Sequence, residues 1–350
     1  MKEKKKVLIG MSGGVDSSVS ALLLKQEGYE VIGATMRLWE DDCSSVVADA
    51  KNICEKIGIP HYIFDCREEF EDRVINDFVC CYKCAKTPNP CIECNKYLKF
   101  GKFYKKALEL GCDYVSTGHY AKVEHSEKYN QYVMKKSDAY QKDQTYFLYS
   151  INKEVLPKLI FPLERFNEKE EIRKIAEEND LVVARKKDSQ EICFIPDNNY
   201  EEFLKNRLKD KTEQGNIVLR NGEFLGKHNG LIHYTVGQRK GLGIAYKEPL
   251  YVLELNKEKN EVVVGTEEEL YSNTLYANEL NFLLNIDLSK PVNIKAKVRY
   301  RAKEADATLY PEENGKVKVE FKEPQRAITP GQSVVFYIDD GIVLGGGKII

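Results

Sequence analysis

The sequence predicts an α/β chain: an N-terminal domain built on a parallel sheet, a small β-rich central domain, and a C-terminal β-barrel. Three observations predict it. Apolar strand-like runs alternate with amphipathic helical runs up to residue 117, and that order calls for parallel strands with helices on both faces. After Pro196 the pattern changes to short strands separated by Gly turns. A chain of 350 residues is also too long for one ordinary core. The boundaries are expected at 1–197, 198–272 and 273–350.

The elements follow in order. Residues 7–11 form an apolar strand, 15–26 a helix and 31–36 a second strand. Ser44 caps a helix whose apolar residues Val46, Val47, Ala50, Ile53, Cys54 and Ile57 keep helical spacing, with Gly58 as its stop. Strand 59–65, helices 68–79 and 95–110 and strand 112–117 complete the alternation. A helix from 167 to 180 opens on Asn167 and Glu170, spaced as a capping box. Asn221-Gly222 and Asp339-Asp340-Gly341 are hairpin signals.

Composition restricts the function classes. Apolar content of 42%, charged content of 31% and a net charge of −2 describe a globular chain without a global nucleic-acid signature. Any nucleic acid must therefore meet local basic patches. No run of 18 apolar residues exists, and the apolar stretch after the basic N-terminus is too short for a secretion signal. A cytoplasmic, membrane-free protein is expected, so its ten cysteines are expected mostly as thiols.

The most informative segment is Ser12-Gly13-Gly14-Val15-Asp16-Ser17-Ser18. It joins the first strand to the first helix, where backbone N–H groups and a helix N-terminus hold phosphate. A Walker loop would place a lysine here. This loop has hydroxyls and one carboxylate instead, and it resembles the PP-loop of the ATP pyrophosphatases (the adenine nucleotide alpha hydrolase-like fold), which split ATP into AMP and pyrophosphate.

Five cysteines crowd one segment: Cys80, Cys81 and Cys84, then Cys91 and Cys94 after Thr87-Pro88-Asn89-Pro90. The prolines fix an extended approach to Cys91. Cys94 is expected at the start of a basic helix, where the dipole, Lys96 and Lys99 would lower its pKa. Cys193 follows about a hundred residues later in Asp188-Ser189-Gln190-Glu191-Ile192-Cys193-Phe194. Cys81, Cys84, Cys91 and Cys94 also carry a zinc-ribbon spacing, although the gap between the pairs is short. Cys43, Cys54, Cys66 and Cys112 read as small core or loop residues.

Seven motifs occur in order: SGGVDSSV, TPNPCxxCNxxxKF, Thr117-Gly118-His119-Tyr120-Ala121, Lys142-Asp143-Gln144, KKDSQEICFI, residues 234–243 (YTVGQRKGLG), and Gly331-Gln332 with Leu344-Gly345-Gly346-Gly347. Together they resemble the bacterial tRNA-specific 2-thiouridylase family over nearly the whole chain. The resemblance implies adenylation of O2 of the wobble uridine of tRNA, with ATP and Mg²⁺, then replacement of that oxygen by sulfur. It implies ATP contacts at Gly10, Met11, Ser12, Gly13, Gly14, Val15, Asp16, Ser17, Met36 and Gly118. It implies that Cys193 carries sulfur as a persulfide, that Cys94 is the partner nucleophile, and that the two form a transient disulfide. It further implies a protein sulfur donor, a cysteine desulfurase or relay protein, and tRNAs for Lys, Glu and Gln as substrates. Many relatives have Asp where this chain has Cys91. The change leaves open a second mechanism, a [4Fe-4S] cluster on Cys91, Cys94 and Cys193 with one iron free.

Two basic patches suit tRNA. Lys96, Lys99, Lys102 and Lys106 recur at helical spacing beside Phe103. Lys295, Lys297, Arg299, Arg301 and Lys303 alternate with Ile294, Ala296, Val298, Tyr300 and Ala302, as on a strand with one cationic face. By resemblance the tRNA contacts are His119, Lys142, Asp143, Gln144, Arg299, Tyr300, Arg301 and Gln332. Two rivals remain at this point. Another PP-loop amidotransferase or ligase would leave Cys94 and Cys193 idle, and a zinc-stabilised RNA-binding protein would leave the PP-loop idle.

Overall fold

A computed structural model describes residues 4–39, 45–138, 142–186, 192–195, 199–208, 213–339 and 341–350. The Ser44 cap, Cys43, residues 188–191 of the Cys193 motif and Asp340 lie outside the described residues.

The first sheet is parallel. Its strands are β1 (Lys6–Gly10), β2 (Glu30–Arg37), β3 (His61–Asp65), β4 (Tyr114–Ser116) and β7 (Leu159–Ile160), in the order β3-β2-β1-β4-β7. Val7, Leu8 and Ile9 are fully buried, as expected of a strand covered on both faces. Helices α1 (Val15–Gln26) and α2 (Ser45–Ile57) cover one core, with Val19, Leu24, Ile53 and Cys54 inside it. The short fifth strand β7 is not legible in the sequence, since two residues carry no readable period.

Two expected helices are longer and less regular. The run from α3 (Arg67–Phe70) to α4 (Asn76–Lys83) contains a π-helical turn at Glu71–Ile75. The next run starts at Pro90 rather than 95: α5 (Pro90–Glu93), a π-helical stretch Cys94–Lys102 and α6 (Phe103–Glu109). Pro90 is the reason, because proline suits the first helical position, where no N–H is needed. In α7 (Lys169–Glu178) the capping box is Glu168 with Glu171, one residue past the expected Asn167 and Glu170. After α8 (Tyr200–Leu208) the chain becomes β-rich.

The central sheet holds β8 (Gly215–Leu219), β9 (Phe224–His228), β10 (Tyr251–Asn256) and β11 (Glu261–Gly265), in the order β10-β11-β8-β9. The expected Asn221-Gly222 turn joins β8 to β9, with Gly222 at φ +90°. The C-terminal strands β12 (Tyr271–Phe282), β13 (Val292–Lys297), β14 (Ala305–Pro311), β15 (Val317–Arg326), β16 (Ser333–Ile338) and β17 (Ile342–Ile349) close into a six-stranded barrel through β12–β17 pairing. The expected strand across 294–303 ends at Lys297. Arg299, Tyr300 and Arg301 lie in the bend that follows, because the chain must turn there into β14.

A hairpin of the N-terminal half, β5 (Lys122–Ser126) and β6 (Gln131–Lys135), joins the barrel sheet beside β17. The seam beneath it is polar as well as apolar. Tyr146 donates to the Ser333 carbonyl at 2.9 Å, and Tyr149 pairs with the Ser333 hydroxyl at 2.9 Å. Asn281 donates to the carbonyls of Tyr149 and Ile151. Lys348 reaches Glu93 at 3.1 Å, Glu279 at 3.1 Å and Asp77 at 3.6 Å. At Gly346 a Cβ would stand 2.5 Å from the Val334 carbonyl and 2.6 Å from the Tyr149 ring. Gly346→Ala is therefore expected to lower stability by about 1–3 kcal/mol through overpacking, measured by chemical denaturation. A wild-type midpoint would show that the seam tolerates a Cβ.

Candidate active site

β1 delivers the Ser12–Ser18 loop to the carboxyl end of the sheet, where open α/β sheets bind ligands. Met11 is tied to β2 by its N–H, which donates to the Ala34 carbonyl at 2.8 Å. Gly13 has φ +64°, and a Cβ there would stand 3.0 Å from the Val46 carbonyl. Ser17 and Ser18 hydroxyls donate to the Gly14 carbonyl at 3.1 and 2.7 Å, and the Ser12 N–H donates to the Ser17 hydroxyl at 3.2 Å. Gly14 caps α1 without a side chain, so the first amides of α1 face the ligand side. Val15 itself is buried and can serve a ligand only through its backbone.

The charges of this loop come from elsewhere in the chain. Asp16 accepts from Lys169 Nζ at 2.7 and 2.6 Å and from the Tyr120 hydroxyl at 2.9 Å. Lys186 donates to the Gly13 carbonyl at 3.1 Å and to Asp49 at 2.9 Å. Sequence reasoning misses both lysines as partners of the loop, since they lie over 150 positions from it; Lys169 is outside the expected motifs, and Lys186 opens the KKDSQEICFI motif without a role assigned to it. Gly118 presses against the start of α1: a Cβ would meet Ser17 N at 2.8 Å and the Asp16 carbonyl carbon at 2.9 Å. Met36, at the end of β2, packs against both the sheet core and the cluster that holds Cys94.

That cluster brings the two cysteine segments together. Cys94 and Phe194, the neighbour of Cys193, share it with Phe70, Phe78 and Leu98. Phe194 is locked among Phe70, Phe78 and Phe203 at ring distances of 5.4–5.5 Å, which leaves the adjoining Cys193 exposed. Cys94 is different. It lies inside the helix, not at its start, and is 7% exposed. Burial pushes its thiol up to about 11, although the nearby Lys99 charge opposes this. The expected lowered pKa is thus reversed, because desolvation outweighs the lysine. Cys91, at the helix N-terminus in its place, is exposed.

The four cysteines with zinc spacing do not converge, and neither do Cys91, Cys94 and Cys193. Among the described residues no group of three or more His, Cys, Asp or Glu is arranged to hold a metal. Cys81 instead faces Asp77 at 3.9 Å, and Cys84 lies 3.7 Å from Lys257.

The residues expected to contact tRNA fall into two groups. Lys142 and Arg301 are exposed. The others have structural partners. His119 is buried between Phe100 and Phe161, bonded to the Thr117 hydroxyl at 2.7 Å, and held neutral by desolvation. Asp143 is buried and accepts from Thr145 at 2.7 Å. Gln144 accepts from the Tyr120 N–H at 3.1 Å. Arg299 donates to the Arg326 carbonyl at 2.8 Å, and Tyr300 lies 4.4 Å from the Phe147 ring. Gln332 donates to the carbonyls of Thr87 and Pro88 at 3.0 and 3.1 Å, which fixes the loop that leads into Cys91. Of the helical lysines, Lys102 pairs with Glu69 and Lys106 with Glu109.

A parallel sheet that feeds a hydroxyl-rich glycine loop onto a helix N-terminus defines a PP-loop ATP-using protein. The sequence profile described as "tRNA methyl transferase HUP domain" matches residues 5–197. The "tRNA methyl transferase PRC-barrel domain" profile matches 201–266, and the "Aminomethyltransferase beta-barrel domain" profile matches 272–349. Curated relatives named tRNA-specific 2-thiouridylase MnmA align with 99% of the chain. Those of Acetivibrio thermocellus and Clostridium beijerinckii are 51% and 50% identical over 99% of their own length; that of Clostridioides difficile is 49% identical over 98%. The chain belongs to the tRNA-specific 2-thiouridylase family.

The Cys94 environment has a measurable consequence. With its thiol raised from 9.0 to about 11, its thiolate fraction at pH 8 is about a hundredfold below that of an ordinary thiol. Alkylation of Cys94 by iodoacetamide, followed by peptide mapping, should keep rising about tenfold per pH unit up to pH 10. A plateau above pH 9 would mean that burial does not raise it.

Proposed function

We propose that the protein replaces O2 of the wobble uridine, position 34 of tRNA, with sulfur, and so produces 2-thiouridine, AMP and pyrophosphate. The observation that carries this reading is Met36, at the end of the strand beside β1, one side chain that touches both the sheet core of Leu8 and Ala34 and the cluster of Cys94 and Phe194. Met36 thus links the sheet whose β1 carries the PP-loop with the cysteine cluster, which supports ATP and sulfur chemistry at one site. The full-length relatives named 2-thiouridylase support sulfur transfer over the methyl transfer in the profile descriptions.

The chemistry runs in two stages. Uridine O2 attacks the α-phosphorus of ATP, the bond from that phosphorus to the bridging oxygen breaks, and pyrophosphate leaves with the electron pair. The N3 proton is released. The loop amides and the Ser12 hydroxyl hold the phosphates, while the Ser17 and Ser18 hydroxyls brace the loop through the Gly14 carbonyl. Gly10, Met11, Gly13, Gly14, Val15, Met36 and Gly118 shape the nucleotide site around them. Asp16 is the carboxylate that would hold Mg²⁺, which usually takes one or two carboxylates together with substrate phosphates. When bound, Mg²⁺ supplies charge neutralisation to the phosphates.

In the second stage the terminal sulfur of a Cys193 persulfide attacks C2, and AMP leaves with the C2–O electrons. Cys94, once deprotonated, attacks Cys193 Sγ. The sulfur–sulfur bond breaks toward the base, N3 takes back a proton from solvent, and a Cys94–Cys193 disulfide remains, which an external dithiol reduces. The exposure of Cys193 suits loading by a protein sulfur donor, a cysteine desulfurase or relay protein. The [4Fe-4S] alternative has less support, because Cys91, Cys94 and Cys193 do not form a metal-holding group. Lys, Glu and Gln tRNAs are the substrates we favour, and the cytoplasm is the location. Among the described residues no helix is long and apolar enough to cross a membrane. We divide the chain into a catalytic domain (residues 1–197), a central domain (residues 198–272) and a tRNA-contacting barrel (residues 273–350).

Cys94→Ser and Cys193→Ser should each abolish 2-thiouridine in nucleoside digests while tRNA affinity stays within about threefold of wild type. Retained thiolation in either variant would remove that residue from the mechanism. Arg301→Ala should lower the slope of log affinity against log salt by about 0.7–0.9. Arg299→Ala should lower it less, since Arg299 already binds the Arg326 carbonyl. Equal slopes for both variants would place Arg299 on the tRNA after all.

A further inference from the structure

We propose that Lys169, with Lys186 beside it, replaces the lysine that this phosphate loop lacks, and that the Lys169 ammonium receives the pyrophosphate leaving group. The inference rests on the proposed function, in which ATP is cleaved at the α-phosphorus.

The geometry is unusual for a purely structural ion pair. Lys169 is the first residue of α7, and its side chain is 8% exposed. A cation at a helix N-terminus is repelled by the local positive end of the dipole. It is also desolvated, which favours it only beside an anion. Asp16 supplies that anion through both carboxylate oxygens. Asp16 stands at the second position of α1, so two helix N-termini point into one small region. Lys186 adds a second ammonium, bonded to the backbone of Gly13 within the loop itself. The two lysines offset the carboxylates of Asp16 and Asp49, and the two helix ends add positive partial charge. Among the described residues the lysine and carboxylate charges here cancel and the helix ends leave positive partial charge, which a polyanion is suited to meet.

The position of Lys169 is rigid. The Glu168–Glu171 capping box fixes the first turn of α7, and Ile172 and Ala176 are buried in the same core as Val15 and Val19 of α1. An anion on the α1 amides would compete with Asp16, itself on the first turn of α1, for this ammonium. Negative charge on the leaving oxygen grows as the Pα–O bond breaks, so a cation placed there stabilises the transition state more than bound ATP.

Lys169→Met should lower the turnover of tRNA-dependent pyrophosphate release by about 10²–10³-fold. KM for ATP should change less than about threefold, and inhibition by inorganic pyrophosphate should weaken about tenfold. Lys169→Arg should restore most of the turnover. Should Lys169→Met fail to fold because it strands Asp16, the comparison of Asp16→Asn with Asp16→Asn/Lys169→Met removes that problem, and the second should still release pyrophosphate more slowly. Wild-type turnover in Lys169→Met, equal rates for that pair, or a lower melting temperature with unchanged saturated turnover would overturn the role. Product analysis separates this from the parent reading. ADP and phosphate from the wild type would overturn α-phosphorus cleavage, whereas AMP and pyrophosphate from an unaffected Lys169→Met would overturn the lysine alone.

Discussion

The seam between the barrel and the parallel sheet is the contact on which the rest of the site depends. The turn before β16 holds the loop that leads into the cysteine helix: the Thr87 N–H donates to the Pro330 carbonyl at 2.9 Å, and Gln332 returns two bonds to Thr87 and Pro88. Lys348, near the end of the chain, reaches Glu93 between Cys91 and Cys94. Burial raises the carboxyl of Glu93 while Lys348 opposes that shift. Such a half-buried cation among three carboxylates is costly to break and specific in direction. The cysteine helix is therefore oriented as much by the barrel as by its own sheet, and a barrel that met tRNA would carry the base and the thiol in one frame.

The phosphate end obeys a different constraint. Its backbone is shaped by tight packing, with Gly13 against Val46 and Gly118 against the first turn of α1. Its charge is imported, since Lys169 and Lys186 arrive from beyond the fourth strand of the sheet. An ammonium on a separate helix can change partner without moving the loop. A lysine within the loop could not do so as freely.

The two cysteines lie in opposite environments. Cys193 is exposed beside a locked phenylalanine, so it is reachable yet fixed in place. Cys94 is buried and held as a thiol by desolvation. In the proposed mechanism, a buried nucleophile with a high pKa would not consume a persulfide in the resting protein, which would keep sulfur on Cys193 until the site rearranges. Lys99 is the group whose charge acts on Cys91, Cys94 and His119 together. It is the natural cation to favour the thiolate once water or substrate enters.

Much of this was legible in the amino-acid order because it depends on local rules. The apolar run 7–11, the Ser12–Ser18 loop, the Asn221-Gly222 turn and the spaced cysteine motifs are all short-range signals. Backbone geometry and side-chain spacing carry them without help from distant residues. The strand expected through Lys303 failed because alternation also continues through a bend that only barrel closure requires. The lowered Cys94 pKa failed because nearby lysines can be counted in sequence, whereas desolvation depends on what packs around the sulfur. By itself, then, the sequence determined the parallel-sheet class, the glycine-serine loop after the first strand and the family. Only the tertiary structure decided which lysines serve the loop, which tRNA-motif residues are occupied as internal supports, and which cysteine is buried, because charge pairing and burial are properties of residues far apart in the chain.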